Sequence, residues 1–287
     1  MSILLKIILG PLYNFKNHVI TNILLILAVF VLTIVTQFGG VLLWISLPLL
    51  RWIRNQTPLL KTSTAFLTFL ILYFIVLISV IPLLAHLSDR VSLNWYTSDD
   101  EPLRPVNIFY CLLARNYVKP ELKELLIQTA LKMKKENLNN VVQYMDACFP
   151  FFDGYSLLPH LSHRDGKKID ISFYYRKKSN QQLIYSPPSP IGYWVYEQPM
   201  SHEIQPCLER NSSLRWNFDW LQKYYTDVEM DPDRTAHILQ IICESELVDK
   251  IFIEPHLKER MKLEFEKIRF QGCYAARHDD HIHVQID

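Results

Sequence analysis

Two long stretches of this chain carry no charge at all. From Val19 to Leu50 there is no Asp, Glu, Lys, Arg or His, and STAFLTFLILYFIVLISVIPLLA, from Ser63 to Ala85, has none either. A helix rises about 1.5 Å per residue, so roughly 20 apolar residues cross a hydrocarbon core about 30 Å thick. Two such runs, separated by RWIRNQTPLLKT, predict a two-helix membrane anchor over residues 19–86 rather than a pair of buried core helices. The first run is longer than a crossing needs, which predicts a tilt or bend near Gly39–Gly40. It does not read as a secretory signal, because its apolar core is too long and no small-residue cleavage site follows closely.

The flanks suggest an orientation. The loop between the runs carries Arg51, Arg54 and Lys61, the tail of residues 1–18 carries Lys6 and Lys16, and Arg90 follows the second run. Positive charge stays cytoplasmic, so the loop is expected in the cytoplasm and both termini outside the inner membrane, with the C-terminal domain periplasmic. MSILLKIILGPLYNF reads as a short amphipathic segment on the bilayer surface.

Beyond residue 86 the composition turns polar. SDRVSLNWYTSDDEPLRPVN is expected to be a linker over residues 87–106, leading to a domain of residues 107–287. Pro120 opens a helical pattern with Leu122, Leu125, Leu126 and Ala130 at helical spacing, and Asp231–Pro232 reads as the cap and first residue of another helix. NNVVQYMDACFPF, KKIDISFYYR, VDKIFIEP and DHIHVQI read as strands, and HLKERMKLEFEKI as a short charged helix. Without a regular strand–helix alternation, the fold class is α+β with a small central antiparallel sheet. The net charge of +1 gives no support to a nucleic-acid partner, which usually needs a basic patch or stripe. Cys111, Cys148, Cys207, Cys243 and Cys273 are widely spaced, and read as buried small hydrophobes before a disulfide framework, with one or two bridges left open.

Chemistry concentrates in two segments. PHLSHRDGKKIDIS and HDDHIHVQID hold five of the ten histidines, and lie about 120 residues apart. His163 and Asp170, seven residues apart around Gly166, suit a loop ligand followed by a strand ligand, and both are ordinary zinc donors. His281 and His283 leave one face of a strand, where both chelate or one binds while the other stands beside the reacting water. His278 and His160 each stand three residues upstream of a motif histidine and reach the same pocket. Asp165 and Asp279 read as loop charges before partners of a histidine. Tyr174 and Arg176, on the Asp170 face of one strand, and Arg277 are candidate substrate contacts, with Tyr175 turned the other way. No phosphate loop, G-x-S-x-G elbow or H-E-x-x-H helix occurs.

These two motifs together resemble the zinc peptidases of the lysostaphin, D-Ala-D-Ala peptidase and hedgehog superfamily, and most nearly the penicillin-insensitive murein endopeptidases. The likeness covers roughly residues 139–286, including the IFIEP strand. It implies Zn²⁺ held by His163, Asp170 and His283, with His281 as general base or transition-state donor. His278 is then a candidate for stabilising an oxyanion, and His160 lines the site. The implied activity is hydrolysis of amide bonds in peptidoglycan cross-link peptides through a zinc-bound water. The competing expectation is a non-catalytic, zinc-stabilised module that binds wall peptides or a protein. The chain departs from the family pattern in its anchor, which makes the lipid bilayer a second partner.

Overall fold

The structure is a computed structural model that describes residues 19–56, 61–95, 101–137, 139–207 and 219–287. The amphipathic segment expected at the N-terminus lies outside the described residues.

The first apolar run is two helices, α1 (Val19–Thr36) and α2 (Gly39–Gln56). Between them Gln37 takes a positive φ of 66° and reverses the chain. Ile26, Val29, Val41 and Trp44 line one groove, as antiparallel neighbours must. A Cβ at Gly40 would stand 2.0 Å from the Val29 carbonyl oxygen, so only glycine permits this approach. The expected bend is therefore a full reversal two residues earlier than Gly39–Gly40. The next helix, α3 (Lys61–Ile75), continues through a π turn at Val76–Val80 into α4 (Ile81–His86). Two helical stretches, Val19–Thr36 and Ser63–His86, are long and apolar enough to cross a membrane. With α2 folded back between them, the start of α1 and the end of α2 lie at one end and the C-terminal domain at the other. The expected placement of both termini on one side does not follow from this arrangement.

The region expected to be a linker is largely built into the domain. Arg90 is 1% exposed, and its guanidinium donates to the carbonyls of Phe149 (2.5 Å) and Phe151 (2.9 Å). Strand β1 (Val91–Ser92) pairs with β3 (Tyr117–Val118), while β2 (Leu103–Pro105) joins the main sheet. Between them runs a one-turn helix, α5 (Phe109–Leu112).

Helix α6 (Pro120–Glu136) has Pro at its first turn and buries Leu122, Leu126 and Ala130. Then come β4 (Val142–Tyr144), β5 (Lys168–Ser172), β6 (Tyr175–Lys177), β7 (Leu183–Ile184) and β8 (Val228–Met230). Helix α7 (Pro232–Cys243) is capped by the Asp231 carboxylate, which accepts from Arg234 N at 3.1 Å. The chain closes with β9 (Val248–Phe252), α8 (Pro255–Arg260), β10 (Ile268–Arg269) and β11 (His281–Ile286). The charged stretch after β9 is helical only over α8 and ends in a strand.

The main sheet has the order β10-β9-β11-β5-β4-β2. Its middle is antiparallel as expected, but both edge pairs, β10–β9 and β2–β4, are parallel. The C-terminal strand β11 is thus central, with Ile282 and Val284 fully buried on one face and the histidines on the other. KKIDISFYYR is not one strand: it breaks after Ser172, and β6 belongs to a separate sheet with β7 and β8. Cys207 and Cys273 are disulfide-bonded, whereas Cys111, Cys148 and Cys243 are free and buried.

Candidate metal centre

The centre is assembled by strand register. β11 runs antiparallel to β5 with His283 opposite Asp170 and His281 opposite Ser172. Directly opposed residues share a sheet face, so one hydrophobic alternation delivers His283 and Asp170 to the same point. β4 runs on past Tyr144, where Asp170 N donates to the Asp146 carbonyl, and this brings Asp146 alongside. His160 and His163 come from a tight turn in which His163 N donates to the His160 carbonyl, so their three-residue spacing points both rings inward. Gly166, at φ 79°, lets this loop turn into β5 under Arg90.

Three donor atoms converge. His163 Nε2 lies 3.2 Å from Asp170 Oδ1 and 3.1 Å from His283 Nδ1. His283 Nδ1 lies 2.8 Å from the same carboxylate oxygen. Ligands at zinc distances stand about 3.3–3.6 Å apart at tetrahedral angles, close to this triangle. His163 Nδ1 faces the Ala147 carbonyl at 2.7 Å, and a carbonyl can only accept. That nitrogen therefore carries the proton, and in the neutral ring Nε2 presents a lone pair to a carboxylate oxygen. Converging lone pairs repel unless a cation or proton lies between them, so the residues present fit a metal. His160, His163 and Asp170 likewise offer donors within 4.8 Å of one another, a group able to hold a metal ion. The two sets share His163 and Asp170 but use the carboxylate differently, because His160 Nδ1 lies 2.6 Å from the other oxygen, Oδ2.

The surroundings set the protonation. Burial pushes the Asp170 carboxyl up, but His163, His281 and His160 outweigh it and hold it well below the usual range. Burial pushes His163 down, and Asp170 more than offsets this, so its pKa is raised. Burial lowers His283 to about 4, and holds His278 well below the ordinary imidazole range. His281 goes the same way as His163: burial opposes its charge, yet Asp170 and Asp280 raise it to about 9. Its Nδ1 lies 2.5 Å from Asp280 Oδ1, and its Nε2 is buried without a hydrogen-bond partner, 3.7 Å from Asp170 Oδ1.

His281 and His160 stand at the wall of a cleft of about 490 Å³, whose other walls include Tyr110, Leu158, Tyr193 and Trp194. Tyr193 OH donates to Asp170 Oδ2 at 2.7 Å. Arg115 holds Asp146 through Nε–Oδ1 at 2.6 Å and Nη2–Oδ2 at 2.9 Å.

The other expected residues fall in different places. Arg277 lines the cleft, but its Nε donates to Asp279 Oδ1 at 2.9 Å and its guanidinium lies 3.9 Å from the Tyr196 ring centroid. Asp279 is no solvated loop charge: it is 2% exposed, and burial pushes its carboxyl up to about 7. Asp165 pairs with Lys168 instead of a histidine. His278 packs beside the rings of His281 and His283, 5.0 and 5.5 Å between centroids, and does not line the cleft. Tyr174 and Arg176 stand apart from the centre, because the chain leaves the main sheet after Ser172. Tyr174 lies under the Arg234 guanidinium, and Arg176 Nε donates to Glu229 Oε1 at 2.8 Å. Asp280, Tyr193 and the Asp146–Arg115 pair went unread in the sequence. Asp280 alone left a signal, its place beside His281, and in the pair Asp279–Asp280 nothing separates the two.

Compared with known proteins, the chain matches no family model and no curated protein.

Proposed function

We propose that this chain is a membrane-anchored, zinc-dependent hydrolase of peptide amide bonds, with the ion held by His163, Asp170 and His283. The observation that carries the reading is the triangle of three buried donor atoms, each within 3.2 Å of the next, beside a cleft wall that holds a partnerless imidazole nitrogen. A zinc ion bound there supplies Lewis acidity, polarising a carbonyl and acidifying water near neutral pH. The protein's own groups then do the following. His281 takes a proton at Nε2 and passes it to the leaving amine, while Asp280 fixes its tautomer at Nδ1. Asp170 is the main attraction that holds His281 protonated, so neutralising that carboxylate would free Nε2 to act as a base. Tyr193 and His160, both on Asp170 Oδ2, keep that oxygen turned away from the His163–His283 pair. His278 acts through packing, by fixing the rings of His281 and His283.

The resemblance drawn from the two motifs points to peptidoglycan peptides as the substrate class, and to the extracytoplasmic side of the inner membrane. Arg51 and Arg54 on the last turns of α2 support that orientation, being at the end of the hairpin away from the domain. The Cys207–Cys273 disulfide supports an oxidising compartment.

The test uses the full chain in detergent, its zinc content measured by mass spectrometry, incubated with cross-linked peptidoglycan. Released muropeptides are followed by chromatography, beside a His281→Ala variant and a chelated sample. Cleavage by the native protein alone supports the hydrolase. One zinc per chain with no amide cut in any wall peptide moves the reading to the non-catalytic binding module.

A further inference from the structure

The cleft is built against the anchor. Phe109 and Tyr110 of α5 and the following Leu113 line it, while the carbonyl of Leu112 between them accepts a hydrogen bond of 2.7 Å from Tyr73 OH on α3. Leu158, Pro159 and His160 line it as well, and the loop leading to them is pinned to the hairpin. Gln37 Nε2 donates to the Phe151 carbonyl and Phe151 N to Gln37 Oε1, both at 2.8 Å, and Tyr155 OH donates to the Thr33 carbonyl at 2.7 Å.

The helix beyond the hairpin adds depth. Past the π turn, α4 carries the chain about 9 Å further along the axis. Its inner side, Leu77, Ile81 and Ala85, packs with Phe38, Ala114 and Tyr117. Its outer side leaves Ile78, Leu83 and Leu87 exposed, the last at 84%. The stretch long and apolar enough to cross a membrane runs to His86, so this exposed apolar side continues it alongside the domain. On the domain, Phe109 (64% exposed), Phe152 (70%), Leu158 (50%) and Leu161 (60%) also present apolar side chains. Phe109 and Leu158 are also cleft walls.

We infer that the cleft opens into the outer leaflet of the bilayer and takes a lipid-tethered peptide, with the hydrocarbon chain between Phe109 and Leu158 and the amide at His281. For the bond cut, this rests on the hydrolase reading; for binding it does not. A chain that moves from lipid into this cleft exchanges one apolar medium for another, at little cost. A peptide without an acyl chain leaves the Phe109 and Leu158 walls uncovered. The reaction adds water across the amide, breaks the C–N bond, and leaves a carboxylate and an amine.

The test is photolabelling of the full chain in phospholipid nanodiscs. The probe is an N-palmitoyl dialanine with a diazirine on its acyl chain, and labelled peptides are mapped by mass spectrometry. The expected label falls on the Phe109–Leu113 and Leu158–Pro159 segments, and is lost with excess N-palmitoyl dialanine but not with N-acetyl dialanine. A Phe109→Asp, Leu158→Asp double variant, with unchanged thermal unfolding, loses it as well. Label confined to α1–α4 overturns the inference, as does equal competition by the acetyl peptide or label that persists in the folded double variant. Turnover of both peptides by the zinc-loaded protein is read separately. Cleft labelling with neither peptide cut defeats the hydrolase reading and leaves the lipid site standing. Cleavage of both at equal rates, without cleft label, does the reverse.

Discussion

Among individual residues, Asp280 and His163 carry the sharpest consequences. Asp280 accepts from Trp194 N at 2.6 Å through Oδ2 while its Oδ1 meets His281. In Asp280→Asn the shape and the Trp194 bond survive, but the carboxylate that orients the imidazole is gone. Zinc content is expected to stay at the native level while amide hydrolysis falls by about 10²–10⁴-fold, the scale of a positioned acid–base group. Loss of zinc together with activity in that variant would show that Asp280 serves the ligands instead. His163 predicts a pH dependence. A ligand imidazole must be neutral, and Asp170 keeps His163 protonated to higher pH than a free imidazole. Protons therefore compete with the ion, so zinc affinity rises with pH through this titration and levels off once the ring is neutral. Competition with a chromophoric chelator from about pH 6 to about pH 9 measures it; a flat profile would remove His163 from the ligand set. The two motif segments were legible because histidines are scarce and these five are crowded. Asp280 and Tyr193 were not, since an acid beside another acid and one tyrosine among 15 carry no local mark.

Among elements, the α1–α2 hairpin shows where pattern stops and packing begins. Hydropathy reports that Val19–Leu50 is apolar, but not that it reverses. The reversal depends on the positive φ of Gln37, on its side chain meeting Phe151, and on a glycine at position 40. Gly40→Ala places a methyl group against the Val29 carbonyl oxygen and the Thr33 hydroxyl. The expected cost is about 1–3 kcal/mol, as for overpacking elsewhere, read as a lower unfolding temperature of the detergent-solubilised chain. An unchanged temperature would mean that α1 and α2 are not packed at that contact. The break between β5 and β6 has a similar origin. The alternation of KKIDISFYYR continues across it, and only pairing partners decide that β5 joins β11 while β6 joins β8.

For the whole molecule, α2 folds back between the two helical stretches that are long and apolar enough to cross a membrane, so the start of α1 and the domain lie at opposite ends. Arg51 and Arg54 lie at the end of the hairpin away from the domain. On the proposed topology that end is cytoplasmic and the domain extracytoplasmic. Alkaline phosphatase fused after Asp287 is expected to be active in cells and the same reporter fused ahead of residue 1 inactive. Equal activity at both ends would restore the two-helix topology.

The sequence by itself determined the apolar runs, the α+β class, the proline-opened helices α6 and α7, and the pairing of a His–Asp motif with a His–x–His motif. Each of these depends on residue type and local spacing, which are written along the chain. The tertiary structure alone decided that His283 stands opposite Asp170, that Asp280 and not Asp279 holds His281, and that the cleft lies against the anchor. Those facts depend on strand register, on a chain reversal and on which loop meets which helix. They arise from contacts between segments up to 122 residues apart, such as Tyr155 with Thr33, and no local pattern encodes them.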